Sequence, residues 1–378
     1  MNILIAPDSF KGSASTTEVA QAIRAGILEV LPDAETTILP MADGGEGTTH
    51  ALVAASHGEL FTTTVHDPLG RPIIGEYGVI HQKTAVIELA SASGLTTLKP
   101  SELNPYEATS YGTGELMIHA LNQGIKHFII CLGGSATNDG GAGLLQALGF
   151  RFLDKNDEPL SSGGLALQKL HSIDVSHVDP RVREAQFEIA CDVTNPLIGP
   201  NGASAIFGPQ KGATPKMVAA LDHALAIFAD CIEKELGVKI HNLPGAGAAG
   251  GTAGGLIAFL NGTLKPGITM VTEALNLENL IQEKAFDLLL TGEGKIDGQT
   301  ASGKVVAGLS QWAKQYHLPV IALAGAIEGD LTPLYEKGLT SAFSIADGPM
   351  SLEDSMEKGK VLLQKQTARL FRLITQFL

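Results

Sequence analysis

The chain has 378 residues, of which 44% are hydrophobic, 17% charged and 5% aromatic, with 44 glycines. That length calls for two domains, and that composition supports a large core and excludes a disordered chain. A formal net charge of −14, with no basic cluster, excludes a nucleic-acid binder and disfavours an anionic membrane as partner, while leaving room for a small anionic substrate met by local lysines.

The first apolar run, Asn2–Ala6, predicts a strand ending in the loop PDSFKGS (Pro7–Ser13). Ser15 and Glu18 then form a capping box for a helix with Val19, Ile23, Ile27 and Val30 on one face. Pro32 and Asp33 end it, and Thr36–Leu39 reads as a second strand, followed by ADGGEGT (Ala42–Thr48). A strand, helix and strand in this order predict a parallel sheet. From Glu59 to about Leu98 the β-branched runs are broken by turns, among them Asp67–Gly70, and predict a mixed or antiparallel sheet.

Residues 106–148 return to helix (Glu115–Asn122), strand (His127–Leu132), the loop GGSATNDGG (Gly133–Gly141) and helix (Gly140–Leu148). Arg151–Pro209 is irregular. Thr214 and Pro215 open a helix with Met217, Leu221, Leu225, Phe228 and Ile232 on one face and Gly237 past its end. Beyond Thr272 strands are expected at Phe286–Leu290, Val320–Leu323 and Ala342–Ile345, with helices at Gly303–Gln315 and from Ser351 to about Phe377. The fold class is thus α/β: a Rossmann-like parallel-sheet domain (1–58, 103–148 and 273–378) with a mixed α/β domain (59–102 and 149–272) inserted into it.

Four of the strands end in loops of glycine, acid and hydroxyl residues, the fourth being GEGKIDGQTASGK (Gly292–Lys304). Glycine lets backbone N–H groups approach an anion, carboxylates hold Mg²⁺, and lysines meet phosphate. Strand ends of a parallel sheet are where open α/β folds bind ligands. The pattern therefore reads as a phosphoryl-transfer site. Lys11 is placed for a phosphate, since a cation at a helix start opposes the helix dipole and needs a reason. Gly298–Lys304 matches GxxxxGK, but Val305 replaces the hydroxyl residue of a P-loop. Gly245–Gly250 matches GxGxxG without a strand before it, so helix packing explains it better than a dinucleotide.

The apolar, Gly-, Pro- and Asn-rich segment Cys191–Ala213 adds Asp192, Asn195, Gln210 and Lys211 as candidates from the second domain; a packed irregular loop is the alternative. Cys131, Cys191 and Cys231 are widely spaced and form no CxxC, as expected of reduced thiols. With no basic n-region in Met1–Pro7, a cytoplasmic location is expected. The scattered histidines make no zinc motif, and GxSxG is absent.

APDSFKGS (Ala6–Ser13), ADGGEGT, TSYGTGEL (Thr109–Leu116), GGSATNDGGAG (Gly133–Gly143), DVTNPLIGPNGAS…FGPQKGA (Asp192–Ala213), GAGAAGG (Gly245–Gly251) and GEGKIDGQT together resemble the type I glycerate kinases, from about Asn2 to Phe371. The resemblance implies ATP- and Mg²⁺-dependent phosphorylation of D-glycerate, with 2-phosphoglycerate favoured and 3-phosphoglycerate open, in a cleft between two α/β domains. The combined reading puts Lys11, Asp43, Asp192 and Asp297 in catalysis. Ser9, Gly44, Gly45, Ser135, Thr137, Gly292, Gly294, Lys295, Thr300 and Lys304 are assigned to the nucleotide. Asn138, Asn195, Lys211 and Arg71 are assigned to the acceptor, and Asp43, Glu46, Asp139 and Glu293 to the metal. ATP and D-glycerate are the expected partners, and a homodimer is left open. A nicotinamide-dependent hydroxy-acid dehydrogenase and a non-catalytic sugar-acid binding protein are the competing readings.

Overall fold

The computed structural model describes residues 1–298, 300–302 and 305–377. Thirteen strands run through the described residues: β1 (Asn2–Ile5), β2 (Glu35–Ile38), β3 (Glu59–His66), β4 (Pro72–Ile80), β5 (Thr84–Glu88), β6 (His127–Cys131), β7 (Arg151–Leu153), β8 (Ser172–Asp174), β9 (Gln186–Ala190), β10 (Thr263–Lys265), β11 (Leu288–Ile296), β12 (Val320–Ile327) and β13 (Ser341–Ser344). The chain divides into two compact units. The first comprises Met1–Asp43, Ala54–Ser56 and Pro266–Leu378; the second comprises Gly44–Val53 and His57–Lys265.

The first unit is built on a wholly parallel sheet in the order β13-β12-β11-β1-β2. Its inner strands β1, β11 and β12 are largely apolar and buried, whereas the edge strands β2 (ETTI) and β13 (SAFS) are only partly buried. The helix Thr16–Val30 starts on the expected capping box: the Ser15 N–H donates to Glu18 Oε2 at 2.9 Å, and Ser15 Oγ accepts from the Glu18 N–H at 3.4 Å. Val19, Ile23 and Ile27 are fully buried with Ile3, Ile5, Leu290, Leu323 and Phe371 in one core. The C-terminal helical stretch is broken into Leu352–Glu357 and Gly359–Ile374. At the break Ser13 Oγ donates to the Met356 carbonyl at 2.5 Å, and a Cβ at Gly359 would lie 2.4 Å from Ser13 Oγ.

The second unit holds a six-stranded sheet, β10-β9-β6-β5-β4-β3, parallel from β10 to β5 and antiparallel beyond. The β3–β4 hairpin turns at Asp67–Gly70 as expected, with the Gly70 N–H donating to the Asp67 carbonyl and Gly70 at φ 80°. The helix Pro215–Leu236 is capped by the Thr214 hydroxyl and ended by Gly237 at φ 72°. One part of the expected partition is corrected: β6, assigned with residues 103–148 to the first domain, lies between β5 and β9 of this sheet. Helix and strand periodicity mark a parallel strand but not which of two parallel sheets it joins.

Candidate active site

In the first unit, β2, β1 and β11 are neighbours, so their carboxyl ends bring Asp43, Asp8 and Glu293 to one sheet edge. Backbone bonds set the spacing: the Asp8 N–H donates to the Gly292 carbonyl at 2.8 Å, and the Met41 N–H to the Pro7 carbonyl at 3.0 Å. Asp8, which the sequence reading left outside its assigned residues, is the centre of this cluster. Burial, then the charges of Asp43 and Glu293, push its carboxyl up to about 7, while the Ser9 N–H, donating at 2.6 Å, pulls the other way. Its signal in the sequence was its place one residue beyond Pro7 at the end of the first strand.

Gly292, Glu293, Gly294 and Lys295 were expected in a loop, but β11 continues through them, paired with β12 from Gly292↔Leu323 to Ile296↔Ile327. A Cβ at Gly292 would lie 2.2 Å from the Leu323 carbonyl oxygen, so this glycine serves strand packing. A Cβ at Gly294 would meet the Phe10 and Lys11 backbone only at ordinary contact distance, 3.5–3.6 Å, so packing there does not demand glycine. Lys11 is exposed and Lys295 half-exposed. The Lys295 ammonium lies 2.9 Å from Glu328 and 3.7 Å from Asp297, and the first pairing mainly holds it in the charged form. The Thr300 hydroxyl accepts from the Asp297 N–H at 3.1 Å, a turn-forming role. Lys304 lies outside the described residues.

No three His, Cys, Asp or Glu side chains among the described residues form a ready-made metal cage. Mg²⁺ rarely uses one: it takes one or two carboxylates and completes its shell with phosphate and water. Asp43 and Glu293, whose charges raise the proton affinity of Asp8, make with it a fitting donor set for such an ion.

In the second unit the loop Gly133–Gly141 follows β6. Lys211 is 1% exposed, and its Nζ donates to Ser135 Oγ at 2.8 Å and to the Thr137 carbonyl at 2.6 Å. Burial pushes this ammonium down to about 7, and Asp139 opposes the shift. Asn138 Nδ2 donates to Ser204 Oγ at 3.0 Å. Thr137 Oγ1 and Asn138 Oδ1 are buried without a hydrogen-bond partner. The glycines of Gly245–Gly251 press backbone against this loop: a Cβ at Gly250, φ 66°, would lie 2.1 Å from the Thr137 carbonyl oxygen. Gly247 does the same against the Pro196 carbonyl. The GxGxxG match is therefore a packing device and gives the dehydrogenase reading no support.

The profile of the glycerate kinase family matches residues 3–375. The chain belongs to the glycerate kinase family. It is 48% identical to a glycerate kinase of Bacillus subtilis (strain 168), over 98% of this chain and 96% of that one. It is 47% identical to a glycerate 2-kinase of Escherichia coli (strain K12), over 94% and 93%. A crystal structure ascribed to glycerate kinase 2 of Salmonella typhimurium LT2 superimposes with a TM-score of 0.90 at 45% identity, covering 100% of this chain and 98% of that one.

Within this family member some sequence assignments change. Asp139, expected on the metal, is 1% exposed and already bonded: Oδ2 accepts from the Ser110 N–H and hydroxyl at 2.9 Å and from the Gly143 N–H at 3.2 Å, and Oδ1 from the Gly141 N–H at 3.0 Å. It clamps the starts of the helices Tyr111–Asn122 and Ala142–Ala147. Arg71, expected on the acceptor, is committed to Asp67 at 2.6 Å and Glu102 at 2.7 Å. Arg71→Ala should thus leave kcat/KM for glycerate within about twofold and lower Tm by at most about 3 °C, read by steady-state kinetics and a thermal melt.

Gly44 and Gly47 adopt φ 84° and 90° in the turn into the helix Thr48–Ser56, and Gly45 packs against Gly133, whose Cβ would lie 2.8 Å from its Cα. The N–H groups of Gly47 and Thr49 are taken by Glu88, at 3.2 and 2.7 Å, a residue the sequence reading missed although it ends the apolar run of β5. Glu46 and Asp192 are exposed. Asn195 Nδ2 donates to the Asn201 carbonyl at 2.9 Å, bracing its own loop.

Proposed function

We propose that this chain transfers the terminal phosphoryl group of ATP to a hydroxyl of D-glycerate, giving ADP and phosphoglycerate. Membership of the glycerate kinase family carries the reading, and the carboxylates gathered by β1, β2 and β11 supply a chemistry for it. Phosphoryl transfer asks mainly for positioning and charge stabilisation. One or two of Asp8, Asp43 and Glu293 would hold Mg²⁺, which would supply charge neutralisation for the transferring phosphoryl group. Lys11 and Lys295 face phosphate charge, Lys295 kept cationic by Glu328. The glycine-rich turn at Gly44 and Gly45 brings backbone close to the nucleotide.

The 2-phospho product is favoured, as in the name of the Escherichia coli relative. The free thiols of Cys131, Cys191 and Cys231 support a reducing, cytoplasmic setting. The test is incubation with D-glycerate, ATP and Mg²⁺ followed by ³¹P and ¹H NMR. A phosphorus coupled to the C2 proton is expected; coupling to the C3 protons would reassign the acceptor oxygen, and no phosphorylated glycerate would overturn the reading. With Mg²⁺ chelated, ADP formation should fall to background.

A further inference from the structure

A buried lysine usually loses its charge or finds an acid. Lys211 has no acid among its hydrogen-bond partners: its two bonds go to a hydroxyl and a carbonyl, both in the loop Gly133–Gly141, and the charge of Asp139 only opposes the effect of burial. In its charged form Lys211 only donates, so Ser135 Oγ then accepts from it. That leaves the Ser135 proton pointing elsewhere, and no described residue accepts it. Ser135 is 6% exposed and follows Gly134, which is exposed, so this side of the loop reaches the surface while Lys211 behind it does not. A hydroxyl accepting from a cation is a strengthened donor. Next to it, Thr137 Oγ1 and one end of the Asn138 amide remain without partners although fully buried. Buried polar atoms of this kind need an explanation, and a hydroxyl-bearing ligand drawn to the loop is one. A carboxylate accepts such a proton, and a hydroxy acid adds a hydroxyl that can donate as well.

We propose that the Ser135 hydroxyl, oriented by the buried Lys211 ammonium, donates to the carboxylate of the acceptor glycerate. Lys211 is then a positioning residue that acts through Ser135. The proposal rests on the glycerate-phosphorylation reading and adds the group that recognises the acid.

The test is a cycle of Ser135→Ala, Lys211→Met and the double variant, with KM measured separately for D-glycerate and for ATP and folding checked by thermal melts. Ser135→Ala should raise KM for glycerate roughly 10- to 100-fold, as expected for a lost hydrogen bond to a charged group, and leave KM for ATP within about twofold. Lys211→Met should do much the same, and the double variant should be no worse than the poorer single one, because both act on one bond. A rise in KM for ATP instead would make the bound anion a phosphate and overturn the assignment. Additive effects would show that Lys211 acts apart from Ser135 and overturn the relay. Should Lys211→Met fail to fold, a folded Ser135→Ala with unchanged KM for glycerate overturns the proposal by itself. All of these outcomes require an active wild-type enzyme; a wild type that never phosphorylates glycerate instead sinks the underlying function.

Discussion

Replacing Asp8 by Asn is expected to cut kcat/KM for glycerate by on the order of 10²–10³-fold while making the ligand-free protein more stable above pH 7. Both effects have one source. Asp8, Asp43 and Glu293 sit together at the carboxyl edge of the parallel sheet, and burial and mutual repulsion push the Asp8 carboxyl up to about 7. An unfolded aspartate releases its proton near 4, so between about pH 4 and 7 the native state holds a proton that the unfolded state has lost. Stability therefore falls as pH rises across that window. Asn is nearly isosteric, keeps an acceptor for the Ser9 N–H and carries no charge. Its Tm should lack the decline expected of the wild type between pH 5 and 8 and exceed the wild-type value at pH 8 by roughly a few degrees. The catalytic loss is expected on the proposed function, in which this carboxylate would help hold the Mg²⁺ that neutralises phosphate charge. Melts at pH 5, 6.5 and 8 with steady-state kinetics would check both arms. A variant of wild-type activity would remove Asp8 from the site, and a variant less stable at pH 8 would show that the cluster is not strained.

Much of this was legible in the sequence because the relevant physics is local. The capping box at Ser15 and Glu18, the turn at Asp67–Gly70 and the caps at Thr214 and Gly237 each depend on residues within a few positions of one another. The two-sheet α/β organisation followed from the switch between β-branched runs and strand–helix alternation. The partners of a carboxylate are not local. Asp139 and Glu293 look alike in sequence, each an acid beside glycine after an apolar run. The first is saturated by donors from Ser110, about thirty residues away, and from its own helix start. The second lies on a strand that runs to Ile296, six residues past the end of its apolar run at Leu290, because β12 extends alongside it. Glu88 was passed over for the same reason: nothing near it in the chain shows that the N–H groups of Gly47 and Thr49 converge on it. Lys211 was expected at the site, but its total burial was not readable from FGPQKGA.

That distinction sets up the second large effect. Asp139→Asn should destabilise the protein by about 3–5 kcal/mol, seen as a Tm lowered by roughly 10 °C, with no increase in the Mg²⁺ concentration needed for half-maximal rate. Both carboxylate oxygens accept, Oδ1 from the Gly141 N–H and Oδ2 from the Ser110 N–H and hydroxyl and the Gly143 N–H. An amide supplies one oxygen and one NH₂, so whichever way it turns, a donor faces a donor in a site 1% exposed to water. No cavity is made, and the loss is electrostatic and hydrogen-bonding in origin. The Ser110 hydroxyl also accepts from the Leu144 N–H at 2.9 Å, so the disturbance reaches the starts of two helices. A metal ligand would behave in the opposite sense: removing its charge would leave Tm unchanged or raised and would increase the Mg²⁺ requirement. Thermal melts and a Mg²⁺ titration of the rate on one preparation of Asp139→Asn therefore separate a clamp from a ligand. A stable variant that needs more Mg²⁺ would return Asp139 to the metal.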